Sequence, residues 1–557
     1  MGGFVAILDT AGSAVDGRLL HSLLNLPPYD GGRATVWTSD GVGLGAAPLH
    51  SPHAAARQSF ACRNGVAIVM DGRLDDRAAL VRRLEAQLER SGGAASDLEL
   101  VLAAYAQWGR DCARHLLGDF SFCLWDPHRR HLFCARDHLG VKPLYYARLS
   151  GTLFVSNVLR SLRRHPGVSD RLDDRAICDM LLVGAVMDES RTSFADVMRV
   201  PPAHTLTWTA GTAAARTDRF WSLQPGGELR LRDPREYVVR YGSVLRTVVA
   251  DRIGDGPFGV LMSGGLDSSS VAATAADVLG PDLAAAGMRA YTVVYDSAAA
   301  DQERHYASLV SRRLGIGIEH HPADTYSWFA RWDTGLLPPE PTTEPMTAIT
   351  ADVLERASRH GSVALTGDGG DPALLPSPIL GLLGRTPLRA LARDVVQSGW
   401  RMRSLPPIGL RAVMRRWWSH EPDVPSWLSP SFIRDCHPRA RLNEIATLRA
   451  PADGPRGLAV SSVVDPWWTS MFETYDPGAT QRPVELRYPL FDVRLLSFAV
   501  AARVDFGSGV KQELLELRSE RRRLQRLTEL LEHALAALTR EREIRERAAT
   551  NGRVSLG

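Results

Sequence analysis

The sequence predicts a layered α+β domain, then an α/β domain on a parallel sheet, then a charged helical tail. Three observations carry this reading. Up to about residue 217, apolar runs of strand length are interspersed with helical stretches. Beyond about 230, strands alternate with helices, the pattern of a parallel sheet with crossovers. From 511 to 548 the chain is charged, and Leu517, Leu524, Leu531 and Leu538 recur at heptad spacing.

In the first domain the strand-like runs are Phe4 to Leu8, Gly65 to Met70, Phe120 to Trp125, His131 to Ala135 and Thr152 to Val155. Asp75 to Ser91 and Asp97 to Trp108 carry helical spacing. A connector rich in Gly and Pro follows Trp208, and the boundary falls at about 217. The second domain, 218–505, begins with a helix over 235–253. It continues with strand 258–262, helix 267–279, strand 290–295, helix 302–314, strand 317–320, helix 345–359 and strand 362–366. Residues 376–470 are rich in Arg, Pro and Trp and read as helical, and 506–557 form the tail. Its heptads suit a helix that packs on its own protein or self-associates through 511–548.

Composition narrows the function. The chain has 557 residues and a net charge of +3, which gives no reason to expect nucleic acid or a membrane surface as partner. No apolar run is long enough for a membrane span, and MGGFVAILDT lacks the features of a signal peptide. The six cysteines form no C-x-x-C pair, which argues against zinc and fits a reducing cytoplasm. Only Lys142 and Lys511 are lysines, and neither is followed by Ser or Thr, so Walker A is excluded.

The chemistry concentrates in Ser263-Gly-Gly-Leu-Asp-Ser268, after an apolar strand and before a helix. Such a loop presents backbone N–H groups at the positive end of a helix, and glycines let an anion approach. Ser263 and Ser268 add hydroxyls. Asp267 repels phosphate unless it holds Mg²⁺. Val363-Ala-Leu-Thr-Gly-Asp-Gly-Gly-Asp371 is a second strand running into a Gly-rich acidic turn. In a doubly wound sheet both turns face one crevice, so Asp267 and Asp371 can share a metal.

These segments resemble the asparagine synthetase-like ATP-pyrophosphatase family. Ser263 to Ser268 looks like its pyrophosphate loop and Thr366 to Asp371 like its second motif. Glu485-Leu-Arg-Tyr-Pro-Leu-Phe-Asp492 looks like its third, with Leu490 and Phe491 exchanged. Gly118-Asp-Phe-Ser-Phe and Ala135 to Tyr146 resemble the glutaminase half. The resemblance implies an Ntn-hydrolase-like αββα domain followed by an adenine-nucleotide α-hydrolase-like synthetase domain. It implies ATP and Mg²⁺ as cofactors and an acyl-adenylate that an amine attacks. The loop residues are then Ser263, Gly264, Gly265, Asp267 and Ser268, and the metal ligands are Asp267 and Asp371. Leu261, Val293 or Val294, Thr366 and Gly367 line the nucleotide pocket. Glu485 and Asp368 fall where relatives carry the base or proton relay, and Lys511 is the one candidate for the lysine that stabilises the adenylate. Asp301 and Glu303 match an acidic pair after the second strand and equally suit a helix start.

Family glutaminases carry Cys after the initiator Met, whereas this chain has Gly2-Gly3 and no nucleophile there. Their Asn-Gly pair appears as Asp71-Gly72. The nitrogen is therefore expected from another amine. A lasso peptide cyclase closes a macrolactam between a precursor peptide's Asp or Glu side chain and its N-terminal amine. Pro372 after Asp371 and Ser426-Trp-Leu-Ser-Pro favour this resemblance. It implies a leader-binding protein and a leader peptidase as pathway partners. A β-lactam synthetase, an ammonia-dependent asparagine synthetase and a non-catalytic scaffold are the alternatives.

Overall fold

The computed structural model describes residues 2–501, leaving out 54–57, 89–94, 213, 225–228, 230, 232–233, 255, 298–301, 333, 335–337, 375–423 and 451–456. Lys511, the heptads of 511–548 and Asp301 lie outside the described residues.

Two six-stranded antiparallel sheets form the centre of the first domain. One has Gly2–Asp9 and Val42–Pro48 inside it; in the other, Gly118–Asp126 lies between Val66–Leu74 and His131–Arg136 and pairs with both. Period-two alternation sends Phe4, Ala6 and Leu8 towards Val69, Cys123 and Leu132, so one core lies between the sheets. The outer faces carry helices. Asp97–Trp108 covers one sheet, and Gly17–Leu24 and Leu159–Arg163 cover the other. The layers are αββα, the Ntn-hydrolase-like arrangement.

Asp97–Trp108 starts on a reciprocal cap in which Ser96 accepts from the Glu99 N–H and Glu99 accepts from the Ser96 N–H. The expected helix from Asp75 is shorter, Arg77–Arg83. The expected connector from Trp208 instead begins within a hairpin of His204–Thr209 and Arg216–Arg219. Thr205, Thr207 and Thr209 alternate with the apolar Leu206 and Trp208, a period-two signal that its turn residues mask.

The second domain holds a five-stranded parallel sheet. Phe258–Leu261 is central, Met288–Val294 and Gly317–Pro322 lie on one side, and Val363–Leu365 and Glu485–Arg487 on the other. The chain reverses direction across the sheet between Phe258–Leu261 and Val363–Leu365, which opens a crevice at their carboxyl ends. Helices Pro234–Ile253, Leu266–Leu279 and Glu303–Leu314 cover one face. Thr347–His360, Pro466–Tyr475 and Val493–Ala501 cover the other. Pro430–Cys436, Pro438–Leu448 and Gly457–Val463 bear out the helical reading of the described part of 376–470. No described helix is long and apolar enough to cross a membrane.

Buried ion pairs join the domains. Arg136 bonds Glu473 at 2.9 Å, Arg199 bonds the same carboxylate at 2.8 Å, and Arg441 grips Asp179 through two nitrogens. Arg252 reaches Asp492 at 2.8 Å and Asp75 at 3.3 Å. Removing one member of such a pair strands a buried charge, which typically costs about 3–5 kcal/mol.

Candidate functional site at the sheet switch point

The loop after Phe258–Leu261 is held at its base by the second strand. The Met262 N–H donates to Tyr291 O at 2.9 Å, and the Thr292 hydroxyl donates to Met262 O at 2.6 Å. Ser268 then folds back. Its Oγ accepts from the Ser263 N–H at 3.1 Å and lies 3.0 Å from Ser263 Oγ, which itself accepts from the Gly265 N–H at 3.2 Å. Helix Leu266–Leu279 begins here, so its free N–H groups face the crevice. Glu303 places a carboxylate oxygen 2.5 Å from the Gly264 nitrogen. The loop thus already receives an anionic oxygen, the kind of atom a phosphate would present.

The second motif meets this loop closely enough to require glycine. A Cβ on Gly367 would come within 2.3 Å of the Ser268 nitrogen, and one on Gly370 within 2.1 Å of Asp267 Oδ2. Asp267 therefore lies against the backbone next to Asp371. The third motif sets the shape from behind. Phe491 packs where a Cβ on Gly369, at φ +102°, would come within 2.7 Å of its ring, and Leu490 enters the core of the sheet's other face. The exchange of Leu490 and Phe491 thus leaves both apolar positions filled.

The structure brings together Leu261, Ser263, Gly264, Gly265, Asp267 and Ser268 with Thr366, Gly367, Asp368 and Asp371. Val293 and Val294 end the adjacent strand. The Thr366 N–H bonds Arg487 O at 3.0 Å, and burial raises the Asp368 carboxyl against the opposing effect of the Thr366 hydroxyl. This donor set suits magnesium ATP. Two carboxylates with phosphate oxygens meet the usual demand of Mg²⁺, and Ser269 Oγ is buried without a partner among the described residues. When bound, Mg²⁺ would be held by Asp267 and Asp371 and would neutralise charge developing on pyrophosphate.

Glu485 is elsewhere, which corrects its assignment as a base. It pairs with Val363 at the opposite end of the strand that leads to Thr366, about 10 Å back along the chain at the usual strand rise. It is 2% exposed and bonds Lys142 Nζ at 2.6 Å and Arg487 Nε at 2.8 Å. Burial alone would raise its carboxyl, but Arg487, Lys142 and Arg73 hold it well below the usual range. So placed, it cannot reach an amine in the crevice.

Lys142 also reaches Asp71 at 3.1 Å, and Asp71 accepts the Gly2 N–H at 3.0 Å. The residues corresponding to a glutaminase centre are thus tied into a buried charge network. Gly2 leaves no space for a side chain, because a Cβ there would lie 2.5 Å from Ala47 O. Gly2→Cys is expected to release no glutamate from glutamine; measurable hydrolysis would show that the Gly2–Ala47 contact opens readily.

One ammonium faces three carboxylates here, and the third is Asp476. Burial, opposed by Lys142 and reinforced by Asp71 and Glu485, pushes Asp476 up to about 7. A raised carboxyl binds a proton that the unfolded chain has released, so its stabilising contribution falls as pH rises from about 4 through about 7. Asp476→Asn keeps an oxygen for the Gly478 N–H. The variant is expected to melt higher than the parent at pH 8 and equally near pH 4; equal melting at pH 8 would refute this titration.

Sequence reasoning missed Glu344 and Tyr475. Both line a pocket of about 260 Å³ beside Asp368. Glu344 lies in an aperiodic stretch, and nothing in the sequence brings it near Asp368.

Comparisons with known proteins identify both domains. A glutamine amidotransferase domain profile matches residues 1–221, and an asparagine synthase profile matches residues 240–519. Asparagine synthetase [glutamine-hydrolyzing] 3 of Bacillus subtilis is 30% identical over 227 residues, 40% of this chain and 36% of that protein. The amidase chyE of Penicillium rubens is 29% identical over 321 residues, 55% of this chain and 47% of that protein. The chain thus spans between a third and a half of the length of these two relatives. With a profile match over half of its length and two glycine-rich turns at the switch point of a parallel sheet, the chain belongs to the asparagine synthase family.

Proposed function

We propose that the chain is an ATP-dependent amide-forming ligase acting as a lasso peptide cyclase. It activates an Asp or Glu side chain of a precursor peptide as the acyl-adenylate, and the peptide's own N-terminal amine closes the macrolactam. AMP and pyrophosphate are released. The observation that carries this reading is the altered glutaminase position. Gly2 has neither a nucleophile nor space for one, and Asp71, Lys142 and Glu485 form a buried network beside it. Nitrogen from glutamine is thereby disfavoured, and an amine on the substrate itself is the simplest replacement.

The chain's own residues supply binding and orientation. The free backbone N–H groups of the first turn of helix Leu266–Leu279 and the hydroxyls of Ser263 and Ser268 receive phosphate oxygens. Thr366 and Gly367 hold the opposite wall. Asp368, which lines the pocket beside the crevice, takes the proton from the attacking amine in this reading, and its raised carboxyl supports that role. A leader-binding protein and a leader peptidase would deliver the trimmed peptide.

The test measures AMP release with three substrate sets: precursor peptide, aspartate with ammonia, and a carboxyethyl-amino acid. Release with the peptide alone is the expected result. Turnover with aspartate and ammonia points to asparagine synthesis, turnover with the small amino acid to β-lactam closure, and no release with any of them to a scaffold.

A further inference from the structure

The pocket beside Asp368 lies between the two domains. The first contributes Met180 and Val186, and the second contributes Glu344, Trp467 and Tyr475. Its lining includes four carboxylates, of Glu340, Glu344, Asp368 and Glu473, against one arginine. Two are neutralised. Glu473 bonds Arg136 and Arg199, and Arg199 also bonds Glu340. No cationic side chain pairs with Glu344 or Asp368 among the described residues. Tyr475 lies close to both: burial first, then the charges of Glu344 and Asp368, push its phenol up to about 12. An unneutralised pair of carboxylates in a partly closed space favours a cation.

Size and lining specify the cation further. A volume of about 260 Å³ is below that of most sites for drug-sized ligands. It admits a small cationic group on a short stem and excludes a folded chain. Met180, Val186 and Trp467 offer apolar surface to that stem.

We infer that this pocket binds the amine partner of the reaction as its ammonium, with Glu344 and Asp368 as counter-charges and the first domain's Met180 and Val186 as the wall that limits the stem. The inference rests on the amide-forming reading and names the part of that site which takes the acceptor. It also gives the first domain a role in place of glutamine hydrolysis: it walls one side of the acceptor pocket.

The test titrates the full chain calorimetrically with glycylglycinamide, which carries a free amine and no carboxylate, and with its N-acetyl derivative. The amine is expected to bind and the acetylated form to give no heat. Glu344→Gln and Met180→Trp are each expected to weaken binding by about tenfold or more, from a lost charge-assisted contact and a filled pocket. Melting curves identify a variant that fails to fold; Met180→Phe then replaces Met180→Trp. Equal binding of the acetylated form, or unchanged affinity in folded Glu344→Gln, overturns the inference. AMP release measured in parallel separates the two readings. AMP without amine binding removes the pocket alone, whereas amine binding with no AMP from any substrate set removes the ligase reading and leaves the cation site.

Discussion

Asp267→Ala is expected to reduce AMP release at least about a thousandfold, equivalent to ~4 kcal/mol of transition-state stabilisation. Asp267 opens helix Leu266–Leu279, and its carboxylate lies against Gly370, beside Asp371. No third acidic, His or Cys group joins them into a fuller metal cage among the described residues. A site with two carboxylates depends on each of them, since phosphate oxygens complete the coordination. Magnesium-dependent ATP binding should fall in the same variant while the melting temperature is kept, because this carboxylate faces the crevice and not the core. Turnover within tenfold of the parent would remove Asp267 from the metal site.

Lys142→Met is expected to have the largest effect on stability. Lys142 is 3% exposed, and its ammonium holds Asp71 and Glu485. Burial by itself would release its proton; the two carboxylates outweigh that and raise its basicity instead. Methionine keeps most of the volume and removes the charge, leaving buried carboxylates with one cation fewer. The expected loss is about 3–5 kcal/mol, read as a lower urea midpoint. Arg487 still bonds Glu485, so the uncompensated charge falls mainly on Asp71. Adding Asp71→Asn should therefore restore part of the loss. A loss below ~1 kcal/mol would mean that water enters and solvates the site.

Much of the second domain was legible because its signals are local. The strand Phe258–Leu261, the glycines after it and the helix from Leu266 follow one another in the chain, and backbone geometry turns that order into an anion-facing loop. The second motif reads in the same way. The hairpin after His204 was harder, because its alternation is short and its turn looks like a linker.

Glu485 shows where such reading stops. Its motif gave it a plausible chemistry, but strand register placed it at the far end of its strand, and Lys142, distant in the chain, neutralised it. Which residues surround a carboxylate is settled by packing between elements, and sequence spacing carries no information about that. The sequence by itself determined the strand–helix alternation from Phe258 to Leu365, the two glycine-rich turns that follow its strands and the loss of a nucleophile at Gly2. Only the tertiary structure decided that Asp71, Lys142 and Glu485 share one buried network, and that Glu344 and Asp368 line one pocket at the domain boundary. The reason is that helix hydrogen bonds and the period-two alternation of a strand act between near neighbours in the chain, whereas charge and burial depend on every side chain that packing brings close.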